Sequence, residues 1–294
     1  VGRYDIMKKS KKGFFLFMAP ALVAFTLVQL IPTVMGIGYS FTDWNGISKA
    51  KHFVGVQNYI TILTSDLSFR NAFIFTFLFS VCAVISVNLI GFVLATLVTQ
   101  RIKGVNFLRG IFFMPNLIGG ILLGFTWQFI FVQVFEAIGK KLGILWLRGW
   151  LTDQRTGFLG LLIVVTWQLS GYMMMIYIAQ LQNIPEDVLE AAELDNAVGW
   201  NRMRYIILPL MMPAFTIGLF LSISNAFKLF DQNLSLTGGG PVNSTQMLAL
   251  NIYTTAFGEN RFGLAQAKAV IFMIVVMAIS VIQLSITKRR EVEA

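Results

Sequence analysis

The chain has 294 residues, 56% of them hydrophobic and 13% charged, with a net charge of +9 and a mean hydropathy of +0.72. A water-soluble domain of this length has too little interior to hide so much apolar surface, so the composition excludes an ordinary soluble globule and points to lipid as the solvent. The single cysteine, Cys82, and single histidine, His52, exclude a disulfide within the chain and a Cys/His metal cluster built from it alone. The basic residues sit in short clusters beside apolar runs, which excludes a nucleic-acid-binding face.

In chain order, uncharged stretches predict six transmembrane helices, over about 13–41, 71–100, 107–135, 157–183, 205–229 and 265–287. Each can cross a hydrocarbon core of roughly 30 Å. The expected fold is an all-α membrane protein with a cytoplasmic segment 1–12, a membrane domain 13–287 and a cytoplasmic tail 288–294. The first span follows Lys8, Lys9, Lys11 and Lys12. It is read as an uncleaved helix, because its apolar region is too long for a signal peptide and no small-x-small cleavage site precedes Asp43.

Both termini are expected inside. Arg101, Lys103, Arg109, Arg202, Arg204, Lys288, Arg289 and Arg290 then join the amino-terminal lysines on the cytoplasmic side, as positive-inside topology requires. Lys140, Lys141, Arg148 and Arg155, between spans three and four, are a local exception on the outside. In span three, Gly120 and Gly124 predict close helix packing.

Polar and aromatic groups inside spans avoid lipid and are expected to face a translocation path or a neighbouring helix. Trp167, Gln168 and Tyr172 in span four, Ser222, Asn225 and Phe227 in span five, and Gln128 beside Trp127 in span three combine aromatic plates with hydrogen-bonding groups. Such faces suit sugars, whose rings pack on aromatics while their hydroxyls need polar partners. Lys228 and Asp231 are expected to pair across one helical turn. Ser170 has no histidine within any span to activate it, so an intramembrane hydrolase is set aside.

The longest internal cytoplasmic segment, 184–209, has its own chemistry. Pro185, Glu186, Asp187 and Glu190 predict a helix start, with negative charge at the positive end of the dipole. A short helix over Pro185–Asp195 should stop at Asn196, which tolerates a left-handed backbone. A second helix, about Gly199–Ile206, then runs into Pro209. Small residues beside an acid on such a helix pair suit docking into a groove on another protein.

The stretch Gln232–Gly258 is broken by Gly238, Gly239, Gly240 and Pro241. It reads as a loop with a short surface or re-entrant helix near Met247–Phe257. No lysine follows the glycines, and no G-x-x-x-x-G-K-[ST] occurs anywhere, so the chain has no loop of its own to cradle ATP phosphates. The triplet Asn243-Ser244-Thr245 is assigned no role.

Glu190-Ala191-Ala192, Asp195 and Ile207-Leu208-Pro209 together resemble the EAA loop of binding-protein-dependent ABC permeases, with Asn196 where that family usually has glycine. Ser40-Phe41-Thr42-Asp43-Trp44, Phe53 to Tyr59, Phe112 to Pro115, Thr237 to Pro241, Ala256-Phe257 and Phe262-Gly263 look like recurring signatures of its sugar-uptake branch. The resemblance implies the type I ABC importer permease architecture, placed in a prokaryotic inner membrane and working by alternating access. It also implies that Glu190, Ala191, Ala192, Asp195, Asn196, Leu208 and Pro209 couple to a cytoplasmic ATPase. ATP and Mg would be bound there, and the chain itself, a transport subunit and not an enzyme, would hold no cofactor.

The implied partners are a second homologous permease, two ABC ATPase subunits or domains and an extracytoplasmic sugar-binding protein. In the resembled family, substrate contacts come from helices flanking the coupling loop, which favours Tyr172, Ser222 and Asn225. The expected cargo is a neutral oligosaccharide. The alternatives are a permease for another solute, such as a glycerol phosphodiester or a polyamine, and a secondary transporter.

Overall fold

A computed structural model describes residues 10–100, 103–289 and 291, with side chains from residue 17 onward. Arg3, Lys8, Lys9, Arg101 and Arg290, and the side chains of Lys11 and Lys12, all used for orientation, lie outside the described residues. Five helices are long and apolar enough to cross a membrane, or six if one bent pair counts as a single span. None of the described residues forms a strand; an isolated antiparallel bridge joins Thr42 and Phe53.

The chain divides into two compact units. The first joins the residues up to Ser65 with Ile252–Ile271. Its helix α1 runs Ser10–Phe25, widens into a π turn at Thr26–Leu30 and continues Ile31–Tyr39; α2 is Gln57–Thr64. Asn58 ties the intervening loop down by donating to the carbonyls of Ser40 (2.8 Å) and Thr42 (2.9 Å), while the Ser40 and Tyr59 hydroxyls meet at 2.6 Å.

The second unit, Asp66–Asn251 with the chain from Phe272, is built around two long helices, α3 (Leu67–Thr99) and α6 (Gln154–Gln182). Both are apolar on all sides, the pattern of a helix whose surroundings are lipid or protein throughout. Both start on an aspartate cap: Asp66 accepts from the Phe69 N–H at 2.8 Å and Asp153 from that of Thr156 at 2.8 Å. That backbone N–H of Thr156 is also what holds the Asp153 carboxyl below the usual carboxylate range. α6 is the central helix, with 56% of its most apolar stretch buried.

The third predicted span, 107–135, is broken. α4 (Val105–Phe113) tightens into a 3₁₀ turn at Met114–Leu117, Ile118 and Gly119 are extended, and the membrane-length helix α5 is Gly120–Leu142. Pro115 is the physical cause, since it has no N–H to continue α4 and enters the 3₁₀ turn at its first positions. Past residue 135, where the charge of Glu136 suggests an end, the helix continues because Lys140 sits one turn on and pairs with it at 3.3 Å. Gly171 on α6 lets the Phe112 carbonyl come within contact; a Cβ there would overlap that oxygen. Gly171→Leu is therefore expected to lower the melting temperature in detergent, an overpacking cost of about 1–3 kcal/mol. An unchanged melting curve would show that α4 and α6 are not in contact.

The fifth predicted span, 205–229, is also broken. After α7 (Glu186–Leu194) come α8 (Trp200–Leu210) and α9 (Met212–Phe227), with a bend of 68° between them. Pro209 and Pro213 lie four apart, so neither can donate the helical bond that would carry α8 straight into α9. The Leu210 carbonyl freed at the bend accepts from Gln180 Nε2 of α6 at 2.9 Å. The second predicted loop helix thus extends through Pro209 to Leu210, after a π turn at Met203–Ile207.

The stretch 232–258 forms a π turn at Asn233–Thr237 and a helix α10, Leu248–Tyr253, that closes in another π turn at Thr254–Gly258. The expectation of a surface helix is corrected: Met247, Leu248 and Leu250 are buried, and the α10 amino end docks by the Leu248 N–H on Thr76 Oγ1 of α3 at 2.8 Å. Helix α11, Phe262–Lys288, completes the chain.

A buried polar knot joins three helices of the second unit. The Tyr177 hydroxyl of α6 donates to Asn88 Oδ1 of α3, and Asn88 Nδ2 donates to Ser222 Oγ of α9 at 2.8 Å. It lies beside the packed cluster of Val87, Met173, Tyr177, Met211 and Ala214.

Candidate functional site

Helices α7 and α8 form one rigid, exposed hook. Pro185 supplies the extended residue before α7, and Glu186 and Asp187 occupy its first turn. At the other end Asn196 adopts φ +59°, the left-handed stop expected of it. The Asn196 N–H bonds the Glu193 carbonyl at 3.1 Å and the Ala197 N–H bonds the Ala192 carbonyl at 2.8 Å. Those two bonds are a Schellman closure, which satisfies carbonyls the helix end would leave open. Arg202 of α8 then reaches Glu193 Oε1 of α7 at 2.8 Å and clips the pair together.

The hook's surface is mixed. Glu190, Ala191 and Asp195 are exposed, and so are Leu194 (89%), Val198, Trp200 (70%) and Tyr205. Exposed apolar side chains interleaved with carboxylates are the composition of a surface that another protein covers. Ala192 differs from its neighbours, being 4% exposed. Its methyl group is buried within the hook, so a charged side chain there would be taken out of water. Leu208 and Pro209 lie in the last turn of α8, away from this surface and next to the bend into α9.

At the other end of α9 lies a recess of about 340 Å³, within the second unit. It is lined by the amides Asn116, Gln168, Asn225 and Gln232 and by one cation and one carboxylate, Lys228 and Asp231. Gln232 Nε2 donates to Gln168 Oε1 at 2.6 Å, and Gln168 Nε2 donates to the Ile118 carbonyl at 3.2 Å. Asn225 Nδ2 donates to the Leu221 carbonyl at 2.8 Å, and its Oδ1 has no hydrogen bond among the described residues. Lys228 and Asp231 do not pair with each other as expected, because α9 ends at Phe227 and the next three residues are not helical. Both side chains are exposed at the recess. Amides that donate and accept, with one charge of each sign, can satisfy the hydroxyls of a neutral polyol.

Of the residues expected to bind substrate, the structure brings Gln168 and Asn225 together in this recess. The others lie elsewhere. Trp167 is half-exposed, against Trp127 at 5.4 Å between ring centroids, and Gln128 donates to the Leu236 carbonyl at 3.1 Å. Tyr172 packs on the cluster around Met173. Ser222 is buried in the polar knot, its hydroxyl donating to the Leu219 carbonyl at 3.1 Å, and Phe227 is buried with Ile223 and Val276. Asn116 lies within the predicted third span and is not singled out there, and Gln232 lies just past the predicted end of the fifth, so the breaks at Pro115 and after Phe227 that bring them to the recess were not legible. Gly120 and Gly124 allow the close helix approach expected of them, with Asp231 and Ser235 of the helical turns at 231–237 as the neighbours.

Residues 105–292 match the model of the family described as binding-protein-dependent transport system inner membrane component. The chain is 51% identical, over 95% of both proteins, to a probable starch degradation products transport system permease protein, AmyD, of Thermoanaerobacterium thermosulfurigenes. It is 31% identical to the multiple sugar-binding transport system permease protein MsmF of Streptococcus mutans, over 94% of this chain and 95% of that one. In fold it matches a crystal structure of a bacterial ABC transporter involved in the import of the acidic polysaccharide alginate, with a TM-score of 0.81 and 18% identity, covering 97% of this chain and 99% of that one.

Proposed function

The chain belongs to the family of binding-protein-dependent transport system inner membrane components, and from that premise we propose that it is the permease subunit of an ATP-driven sugar importer. The cargo is an oligosaccharide handed over by an extracytoplasmic binding protein. The names of the relatives for starch degradation products and multiple sugars support that class, as does a recess lined by amides.

The observation that carries the reading is the α7–α8 hook. It is locked internally by the Schellman closure and the Arg202–Glu193 clip, exposed on its Glu190 face, and joined through one bend to α9, whose far end borders the recess. A push on a hook that cannot flex is passed to α9. The chain carries no phosphate-binding loop, so the push comes from ATPase subunits, one for this permease and one for a homologous second permease. Closure of the ATPases would tilt α9 and switch the recess between the two faces of the membrane, which is alternating access. The hook and both termini then lie on the cytoplasmic side of a prokaryotic inner membrane.

Asn225→Leu and Lys228→Met test the recess at exposed positions, where folding is spared. In the transporter reconstituted with its partners, each is expected to raise the half-saturating concentration of loaded binding protein for ATPase stimulation. The rise should be about three- to tenfold, the loss of one hydrogen bond. Unaltered half-saturation in both variants would place the sugar elsewhere.

A further inference from the structure

A second cavity, of about 920 Å³, opens at the end of α3 and α6 opposite the hook. Its wall is apolar: Ile74 and Leu78 of α3 and Leu159 of α6 are each roughly half exposed beside Phe75 and Phe158, in the first half of helices long and apolar enough to cross a membrane. Its rim carries the amides of Asn71 and Asn243, the Ser244 hydroxyl and the Arg155 guanidinium, with no carboxylate among the lining residues. Ser244 Oγ is buried and meets no hydrogen-bond partner among the described residues.

Arg155 and Lys141 are the two cations left without an ion pair, among the described residues, in a basic cluster on the wrong side for positive-inside topology, and of the two Arg155 lines the cavity. Lys140 and Arg148 of that cluster face Glu136, at 3.3 and 3.6 Å. Arg155 has no ion pair within 4.0 Å among the described residues, and the nearby Asp153 carboxylate is engaged by the Thr156 N–H at 2.8 Å. A cation and amide donors thus stand at the rim of an apolar wall.

We propose that this cavity holds an anionic phospholipid, with its phosphate oxygens on Arg155 and the exposed amides of Asn71 and Asn243 and the upper parts of its acyl chains along Ile74, Leu78 and Leu159. The donors lack an acceptor, and a phosphate diester supplies one; the wall lacks cover, and acyl chains supply it. The volume is in the range of sites that enclose a ligand of headgroup size. The inference requires that the chain span a bilayer, and it is independent of what the chain transports.

Native mass spectrometry of the full-length chain, purified in detergent with its co-expressed partners and titrated with lipid, tests it. Dioleoylphosphatidylglycerol is expected to be retained about tenfold better than dioleoylphosphatidylcholine, the value of one charge-assisted contact. Arg155→Gln should abolish that preference, while Lys141→Gln, at an exposed position away from the cavity, should keep it. Leu159→Trp, which fills the apolar wall, should weaken retention of both lipids. Equal retention of the two lipids by the wild-type chain, or an Arg155→Gln variant that keeps the preference, overturns the proposal. So does a photo-crosslinker at Leu159 that captures a protein subunit in place of lipid, or displacement of the lipid by millimolar inorganic phosphate.

Discussion

Glu190→Lys is expected to leave the chain folded and inserted while cutting ATP-driven uptake by about thirtyfold or more, the effect of placing a like charge where a docked surface needs an acid. Glu190 is exposed, so the substitution disturbs nothing within the chain. Ala192→Asp acts differently, because Ala192 is 4% exposed and its carbonyl anchors the Schellman closure. A carboxylate buried there lacks a partner and forces α7 to open. Both variants should lose uptake, but Glu190→Lys should keep the hook's resistance to proteolysis and Ala192→Asp should lose it. Wild-type uptake in the pair combined would remove the hook from the coupling path.

Asn88→Leu is expected to cost about 1–3 kcal/mol of stability in detergent. It leaves the buried Tyr177 hydroxyl without its acceptor and removes the donor to Ser222 Oγ, in the middle of three helices. Tyr177→Phe, which removes one donor and leaves Asn88 bound to Ser222, should cost less. Thermal unfolding followed by intrinsic tryptophan fluorescence reads both. Equal melting temperatures for the wild type and Asn88→Leu would show the knot to be idle. Because Ser222 lies in α9, a loosened knot should also weaken the link between hook and recess, seen as ATP hydrolysis that no longer rises with loaded binding protein.

Much of this was legible in the sequence because lipid simplifies the code. An uninterrupted apolar run about 20 residues long is a spanning helix, and four of the six predicted spans stand within a few residues of their predicted ends. The two that failed, at 107–135 and 205–229, contain prolines in apolar surroundings, where hydropathy is blind to backbone geometry. Pro115 splits α4 from α5, and Pro209 with Pro213 sets the bend between α8 and α9. The hook was legible for a different reason: Asn196 and the acidic first turn are local signals, and local signals survive in one dimension.

The recess was less legible. Gln168 and Ser222 look alike in sequence, each a polar residue inside a span, yet one lines the recess and the other is spent on Asn88. That difference depends on which helices meet, and no periodicity reports it. The short signatures near the ends of the chain gain a physical reason only in three dimensions. Trp44 packs on Phe262 with ring centroids 5.6 Å apart, the Gly263 N–H bonds the Trp44 carbonyl at 2.8 Å, and a Cβ at Gly263 would overlap the Thr42 carbonyl. In this chain these residues are one packing contact.

The central claim is that a separate ATPase drives this chain through the α7–α8 hook. The most direct measurement places a photo-reactive benzoylphenylalanine at the exposed Ala191, in the chain co-expressed with its partners, and at the exposed Val242 at the opposite end as control. An adduct with the ATPase from position 191 alone, in a yield that changes when ATP is added, is the predicted result. No ATPase adduct from position 191, with the ATPase still co-purifying after residues 186–198 are replaced by a glycine-serine linker, would contradict it.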